Sequence, residues 1–193
     1  RQIDATGEPT GVAFRVNSYM NKYQGDPTVA FLPNGDWVVA WHSNVAASGS
    51  NMDIRARAFR GTSPLAEEFP VNTTTTGGQM VPVIAASPDG YGYVVIWQGT
   101  DYSIFGRRFA EDHSALGDEF HAIESTNASS IFEEPDVSFG SGGRFLAVTV
   151  ASDGNGRGII AQQLNADGSR SGPELILNQQ TVADQDTPSL ASD

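Results

Sequence analysis

The sequence predicts an all-β fold: a β-propeller-like array of four-stranded antiparallel blades with a repeat of about 53 residues. Three observations carry this. A β-branched and aromatic run, Asp36-Trp37-Val38-Val39-Ala40-Trp41, returns as Gly92-Tyr93-Val94-Val95-Ile96-Trp97 and more weakly as Arg144-Phe145-Leu146-Ala147-Val148-Thr149. Such short apolar runs behind Gly-containing turns read as strands buried on both faces. Pro27, Pro82, Pro135 and Pro188 recur at intervals of 55, 53 and 53 residues, a period typical of propeller blades. No stretch shows a competing helical periodicity.

Taken in order, each unit begins at its proline with strand a: residues 28–32, 83–86, 136–139 and 189–191. A polar Gly turn follows (Asn34-Gly35, Asp89-Gly90, Gly142-Gly143), as a tight hairpin needs residues that accept positive φ. Strand b is the run quoted above. A variable polar loop, longest at Ser43 to Asn51, leads to strand c: Asp53–Phe59, Ile104–Phe109 and Ile159–Leu164. The first of these alternates apolar residues with Arg, as a half-exposed strand does. Strand d is expected at Glu68–Asn72, Glu119–Ile123 and Glu174–Asn178, and a polar linker such as Thr73 to Gln79 closes the unit. At the N-terminus Arg1–Ile3 matches the end of a strand c and Val12–Asn17 a strand d. The chain therefore reads as a single repeat domain. Residues 1–26 form a partial blade, 27–81, 82–134 and 135–187 three full blades, and 188–193 the first strand of a further one. The blade shared by the two ends lacks its strand b. That leaves three arrangements: a ring with a defect at its closure, a fragment of a longer propeller, or a strand supplied by a neighbouring molecule. The absence of an initial Met fits a processed chain or a fragment.

The recurring grid is Phe-x-x-Asn (Phe14/Asn17, Phe69/Asn72), Gln-x-x-Pro (Gln24/Pro27, Gln79/Pro82), Gly-x-x-Val-Val-x-Trp, Ile-x-x-Arg-x-Phe (Ile54/Arg57/Phe59, with a variant at Ile104/Arg107/Phe109) and Asn-Ala-Asp-Gly at Asn165–Gly168. This resembles the tandem propeller-type repeats of large secreted bacterial surface proteins, often found beside haemolysin-type calcium-binding repeats. The resemblance implies an extracellular or cell-surface address and a role in adhesion or surface structure. The third repeat departs from it, with Thr149 for Trp and Gln162 for Arg.

Composition narrows the partners. A net charge of −12 and a pI near 4.4 argue against nucleic acid and anionic membrane surfaces. No apolar run approaches the roughly 18 residues of a membrane span. Without cysteine there is no disulfide, thiolate metal site or Cys nucleophile.

Candidate chemistry is sparse. His42, His113 and His121 fall at different phases of the repeat, without a second ligand at metal spacing. The acids before strand d (Glu67, Glu68, Asp118, Glu119, Glu174) recur with the repeat and read as solvated turns, whereas a catalytic pair is needed once. Asp153 and Asn155, in a Gly-bent loop, are a calcium candidate, but the acidic ligands are few and the plain Gly turn is the expectation, so no cofactor is expected. Arg55, Arg57, Arg107 and Arg108 are expected to pair with acids across blades rather than bind carboxylated sugars, and Trp37, Trp41 and Trp97 to pack between blades rather than stack on sugars. Sequons at Asn72 and Asn127, and the run Thr73, Thr74, Thr75 and Thr76, are candidate glycosylation sites. The expectation is a non-enzymatic extracellular structural or adhesive module, a glycoprotein that assembles with itself or with neighbouring repeats through its incomplete blade. The alternatives are a lectin-like carbohydrate-binding propeller and, last, a polysaccharide-active enzyme.

Overall fold

The computed structural model describes residues 1–44, 51–124, 133–180 and 182–192. Its strands in chain order are β1 (Gln2–Ile3), β2 (Pro9–Thr10), β3 (Gln24–Phe31), β4 (Asp36–Ser43), β5 (Asp53–Arg60), β6 (Ser63–Pro64), β7 (Phe69–Pro70), β8 (Met80–Ala86), β9 (Tyr93–Gln98), β10 (Ile104–Phe109), β11 (Phe120–Ile123), β12 (Glu133–Phe139), β13 (Phe145–Ser152), β14 (Arg157–Leu164) and β15 (Leu175–Ile176). β1 and β2 form a two-stranded sheet, and β3 to β15 form three antiparallel blades. Blade 1 is β3-β4-β5, with β6 and β7 both on β5. Blade 2 is β8-β9-β10-β11 and blade 3 is β12-β13-β14-β15. The architecture is all-β, with propeller-like blades.

Both ends depart from expectation. Val12–Asn17 is not a strand, and β1 pairs with β2 through Gln2–Thr10 and Ile3–Pro9 only. Phe14 and Val16 instead lie against Trp37, Val39, Trp41 and Phe59. Residues 189–191 are not a strand either: the Leu190 N–H donates to the Asp136 carboxylate at 2.6 Å. Strand d is only two residues long in blades 1 and 3. In blade 1 it ends on Pro70, which has no N–H to donate.

Strand b is buried on both faces because its alternate side chains enter different inter-blade layers. Tyr93, Val95 and Trp97 pack with Val38, Ala40 and Ile54 of blade 1. Val94 and Ile96 pack with Val137, Phe139, Phe145 and Ala147 of blade 3. Gly92 begins β9 because nothing larger fits: at φ +86°, an added Cβ would lie 2.0 Å from the Phe109 carbonyl oxygen.

The repeated polar residues hold the blades together. The Asn72 amide oxygen accepts the Ile54 N–H at 2.6 Å, and its nitrogen donates to Asp53 (2.8 Å) and to the Thr74 carbonyl (2.9 Å). Asn178 does the same for Ile159 and Asp153 in blade 3. The arginines act differently from expectation. Arg57 and Arg107 donate at 3.0 Å to backbone carbonyls of the preceding repeat, Val16 and Val71. Their approaches to acids are looser, such as Arg57 to Glu67 at 3.8 Å. The acids before strand d are not merely solvated turns. Glu68 accepts the Ser18 N–H at 3.1 Å, and Glu119 accepts the N–H groups of Thr73 and Thr74, one repeat back. Each is a charge-assisted bond worth about 1.5–3 kcal/mol.

Candidate functional site

The site is built where strand a begins. Each strand a opens with a β-bulge at its proline, between Gly25 and Thr28, Met80 and Val83, and Glu133 and Asp136. The residue before the proline is left-handed in every copy: Asp26 (φ 48°), Val81 (50°), Glu134 (51°) and Thr187 (54°). Proline disfavours the right-handed helical region for its predecessor, and a non-glycine residue held left-handed stores about 1–3 kcal/mol. Bulges of this kind re-aim a side chain out of the ladder. Consecutive bulges are neighbours: one Glu134 carboxylate oxygen accepts the Thr187 N–H at 2.8 Å.

The occupant of that position breaks the repeat. It is an exposed carboxylate in blades 1 and 3 (Asp26, Glu134), and half-buried Val81 in blade 2. Around Asp26 the edge of blade 1 is also distinct. His42, at the end of strand b, is buried, stacks on Tyr23 with ring centroids 5.5 Å apart, and places Nδ1 3.3 Å from the Asp26 carboxylate. Burial pushes its imidazole below the ordinary value of 6.5, and Asp26 partly offsets this. Gly25 makes room for the stack, since a Cβ there would lie 2.8 Å from His42 Nε2 and 2.9 Å from the Tyr23 hydroxyl. Gln24 Oε1, Trp41 Nε1, both His42 ring nitrogens and Ser43 Oγ are buried, with no hydrogen-bond partner among the described residues. Buried polar atoms are normally paired, so such a concentration at one blade edge marks the site.

A second polar grouping lies at the opposite end of the same blades. A groove of about 710 Å³ is lined by Asp36, Arg60, Glu67, Glu111, Asp112 and His113, among others. Asp36 is held there by two Arg60 hydrogen bonds of 2.7 and 3.0 Å, and His113 approaches it at 3.8 Å. This joins blades 1 and 2 and leaves the buried acid committed to structure.

Of the residues singled out from sequence, His42 and Trp41 fall in this site, while the calcium and glycosylation candidates lie elsewhere. Asp153 accepts the Asn155 N–H at 3.0 Å and the Asn178 amide at 2.9 Å, which makes the loop a bonded turn. The described residues contain no group of three or more His, Asp or Glu arranged to hold a metal ion. Asn72 is 3% exposed, with its amide nitrogen donating to two acceptors. A glycan on that atom would replace one of its two N–H groups and break at least one of these bonds. Thr73, Thr74, Thr75 and Thr76 are exposed, and Asn127 lies outside the described residues. The three tryptophans are buried between layers. Sequence reasoning passed over Asp26 and Glu134 because the proline marked the repeat and its predecessor went unread; the signal was the variation Asp, Val, Glu, Thr at an otherwise fixed position.

Comparison with known proteins places this geometry. No family model and no curated protein matches the chain. Solved structures do. An endo-arabinase from Bacteroides thetaiotaomicron superposes with a TM-score of 0.52 at 15% identity, over 80% of this chain and 62% of its own. A family 117 glycoside hydrolase from Zobellia galactanivorans gives 0.54 at 13%, over 86% and 60%, and a GH62 hydrolase in complex with xylotriose 0.52 at 10%, over 82% and 52%. The fold is that of β-propeller glycoside hydrolases. At these identities the likeness carries the fold alone, and this chain spans 52–62% of the length of those three proteins. It nonetheless corrects the expectation of a non-enzymatic structural or adhesive module. The three structural neighbours named above are enzymes, and the polysaccharide-active alternative is taken up as a proposal below.

Proposed function

We propose that the chain is part of a polysaccharide-active glycoside hydrolase whose carboxylate pair is Asp26 and Glu134. One observation carries the reading: an exposed acid occupies the strained pre-proline bulge in blades 1 and 3 and not in blade 2. These acids are not copies imposed by the repeat, unlike those before strand d. Hydrolysis of a glycosidic bond uses two carboxyl groups flanking it. One gives a proton to the leaving oxygen; the other takes a proton from water or attacks the anomeric carbon, and one water is consumed overall. Burial disfavours the charged form of His42, so its Nδ1, 3.3 Å from the Asp26 carboxylate, sits beside that acid without neutralising its charge. The bulge holds each acid on the strand rather than on a loop, which favours precise placement. Arabinan, for the arabinase, and xylan, for the xylotriose complex, are the first substrates to try.

The test is release of reducing ends from these polymers by the protein. Asp26→Asn and Glu134→Gln are each expected to lower the rate about 10²–10⁴-fold, the usual contribution of an acid–base group, with an unchanged unfolding temperature. No release from any of the polymers, or wild-type rates in both variants, overturns the reading.

A further inference from the structure

Blades 1 and 2 carry the same pair of residues, a Gln three residues before the bulge proline and a Trp in strand b, but only blade 2 joins them. There the Trp97 Nε1–H donates to Gln79 Oε1 at 2.9 Å, with both residues buried. In blade 1 the equivalent atoms, Trp41 Nε1 and Gln24 Oε1, are buried and have no partner among the described residues. Gln24 turns away: its amide nitrogen donates to the Tyr19 carbonyl at 2.5 Å. Both side chains line a cavity of about 410 Å³ between blade 1 and the Val16-Asn17 segment, with Pro27 and Val39 completing the wall.

The lining dictates what fits. One atom needs an acceptor and the other a donor, and a hydroxyl group serves both at once. Apart from Asn17, whose amide nitrogen donates to the Tyr19 carbonyl, the remaining side chains of the wall are apolar, and none of the residues lining the cavity is charged. Its volume lies within the range of small-molecule sites, about 300–1,000 Å³. We infer that this cavity binds one neutral monosaccharide unit, with a hydroxyl seated between Trp41 and Gln24 and an apolar ring face against Val16 and Val39. Both polar atoms are screened from solvent, so binding swings the Gln24 amide off the Tyr19 carbonyl and onto the ligand. An unpaired buried donor or acceptor carries a desolvation cost, which the bound hydroxyl removes. The cavity reaches Pro27, beside Asp26, and the inference deepens the proposed function by adding a sugar subsite next to the acid. It rests on that reading only for its place along a substrate, since binding requires no hydrolysis.

The experiment follows the indole N–H resonances of the three tryptophans in ¹⁵N-labelled protein, assigned with Trp41→Phe and Trp97→Phe. L-arabinose, D-xylose and D-galactose are titrated in turn, with D-galacturonate as charged control and glycerol as small-polyol control. The expected result is a saturable shift of the Trp41 resonance with at least one neutral sugar, with Trp97 and Trp37 stationary. Gln24→Leu should weaken the apparent affinity about tenfold or more, the loss of one buried hydrogen bond, while leaving the Trp97 resonance in place as a sign of intact folding. A stationary Trp41, equal movement of all three indoles, a response to glycerol equal to that of the sugars, or a response to galacturonate alone overturns the inference. Repeating the titration with Asp26→Asn separates the two readings. A Trp41 shift without polymer cleavage sinks hydrolysis and leaves the subsite. Cleavage without a Trp41 shift does the reverse.

Discussion

Blades 1 and 2 are built from one sequence grid and differ where the grid meets its surroundings. In blade 2 every repeated polar residue is spent on structure. Gln79 holds Trp97, Arg107 holds the Val71 carbonyl, and Glu119 holds the linker at Thr73 and Thr74. In blade 1 Arg57 and Glu68 do the same work, on Val16 and Ser18. Gln24 and Trp41 do not close on each other, and Met80 and Val81 of blade 2 are replaced by Gly25 and Asp26. Gly25 admits the Tyr23–His42 stack, and Asp26 supplies a charge beside it. The repeat therefore makes the scaffold, and the proposed sites lie where an equivalent position is freed from its structural bond.

The largest expected break of this comparison is at the Asn fasteners. Asn72→Ala leaves the Ile54 N–H and the Asp53 carboxylate without their partner inside blade 1. At about 1–3 kcal/mol for each buried group left unpaired, a loss of about 3 kcal/mol is expected in chemical denaturation. Asn17, its counterpart in the N-terminal segment, makes one bond to the Tyr19 carbonyl in an exposed setting, so Asn17→Ala should cost under about 1 kcal/mol. Equal losses would mean that the fastener does not depend on a completed blade.

The tryptophans give a smaller and sharper contrast. Phe keeps most of the ring and removes the N–H. In Trp97→Phe, Gln79 loses its bond and stays buried, so a cost of about 1–3 kcal/mol is expected beyond the change in packing. Trp41→Phe removes an N–H that is already unpaired, and the same measurement should show a clearly smaller loss. If the two substitutions cost the same, Trp41 is bonded in solution as Trp97 is, and the asymmetry between the blades disappears.

Much of the architecture was legible because it rests on pattern. The unbroken run Trp37–Trp41 could be read as a strand covered on both sides, and the proline spacing as a period. The short strands d were overestimated because Glu174–Asn178 and Glu68–Asn72 have strand-like composition, yet most of their backbone lies off the ladder. Pairing partners were less legible still. Arg57 and Glu119 look like complementary charges in sequence, but both turn to backbone groups one repeat away, a choice set by inter-blade geometry. The site was the least legible part. Asp26 and Glu134 differ from other acids through a left-handed backbone at the bulge of strand a, which cannot be seen in residue type.

The smallest expected effect concerns pH, and it tests whether buried His42 and half-buried His113 belong to the same class. Burial lowers the imidazoles of His42 and His113 below the ordinary value of 6.5. Asp26 opposes this for His42. For His113, Asp36 and Asp112 oppose it and Arg60 reinforces it. The unfolded chain therefore takes up protons near pH 6.5 that the folded chain refuses. Stability should be level above about pH 6.5 and fall as pH drops below it, until the folded imidazoles protonate in turn. The carboxylates with lowered values, Asp4, Asp112, Asp167 and Glu119, start from 3.8 or 4.5, so their contribution is lost only at still lower pH. Denaturation midpoints between pH 6.5 and 4.5 therefore report the histidines. His113→Gln should remove part of the slope and leave sugar binding at Trp41 unchanged, since His113 lines the opposite groove. His42→Gln should remove the other part and also disturb the environment of Asp26. A slope that survives both substitutions would assign the acid sensitivity to the carboxylate network and leave His42 without a distinct role at the edge of blade 1.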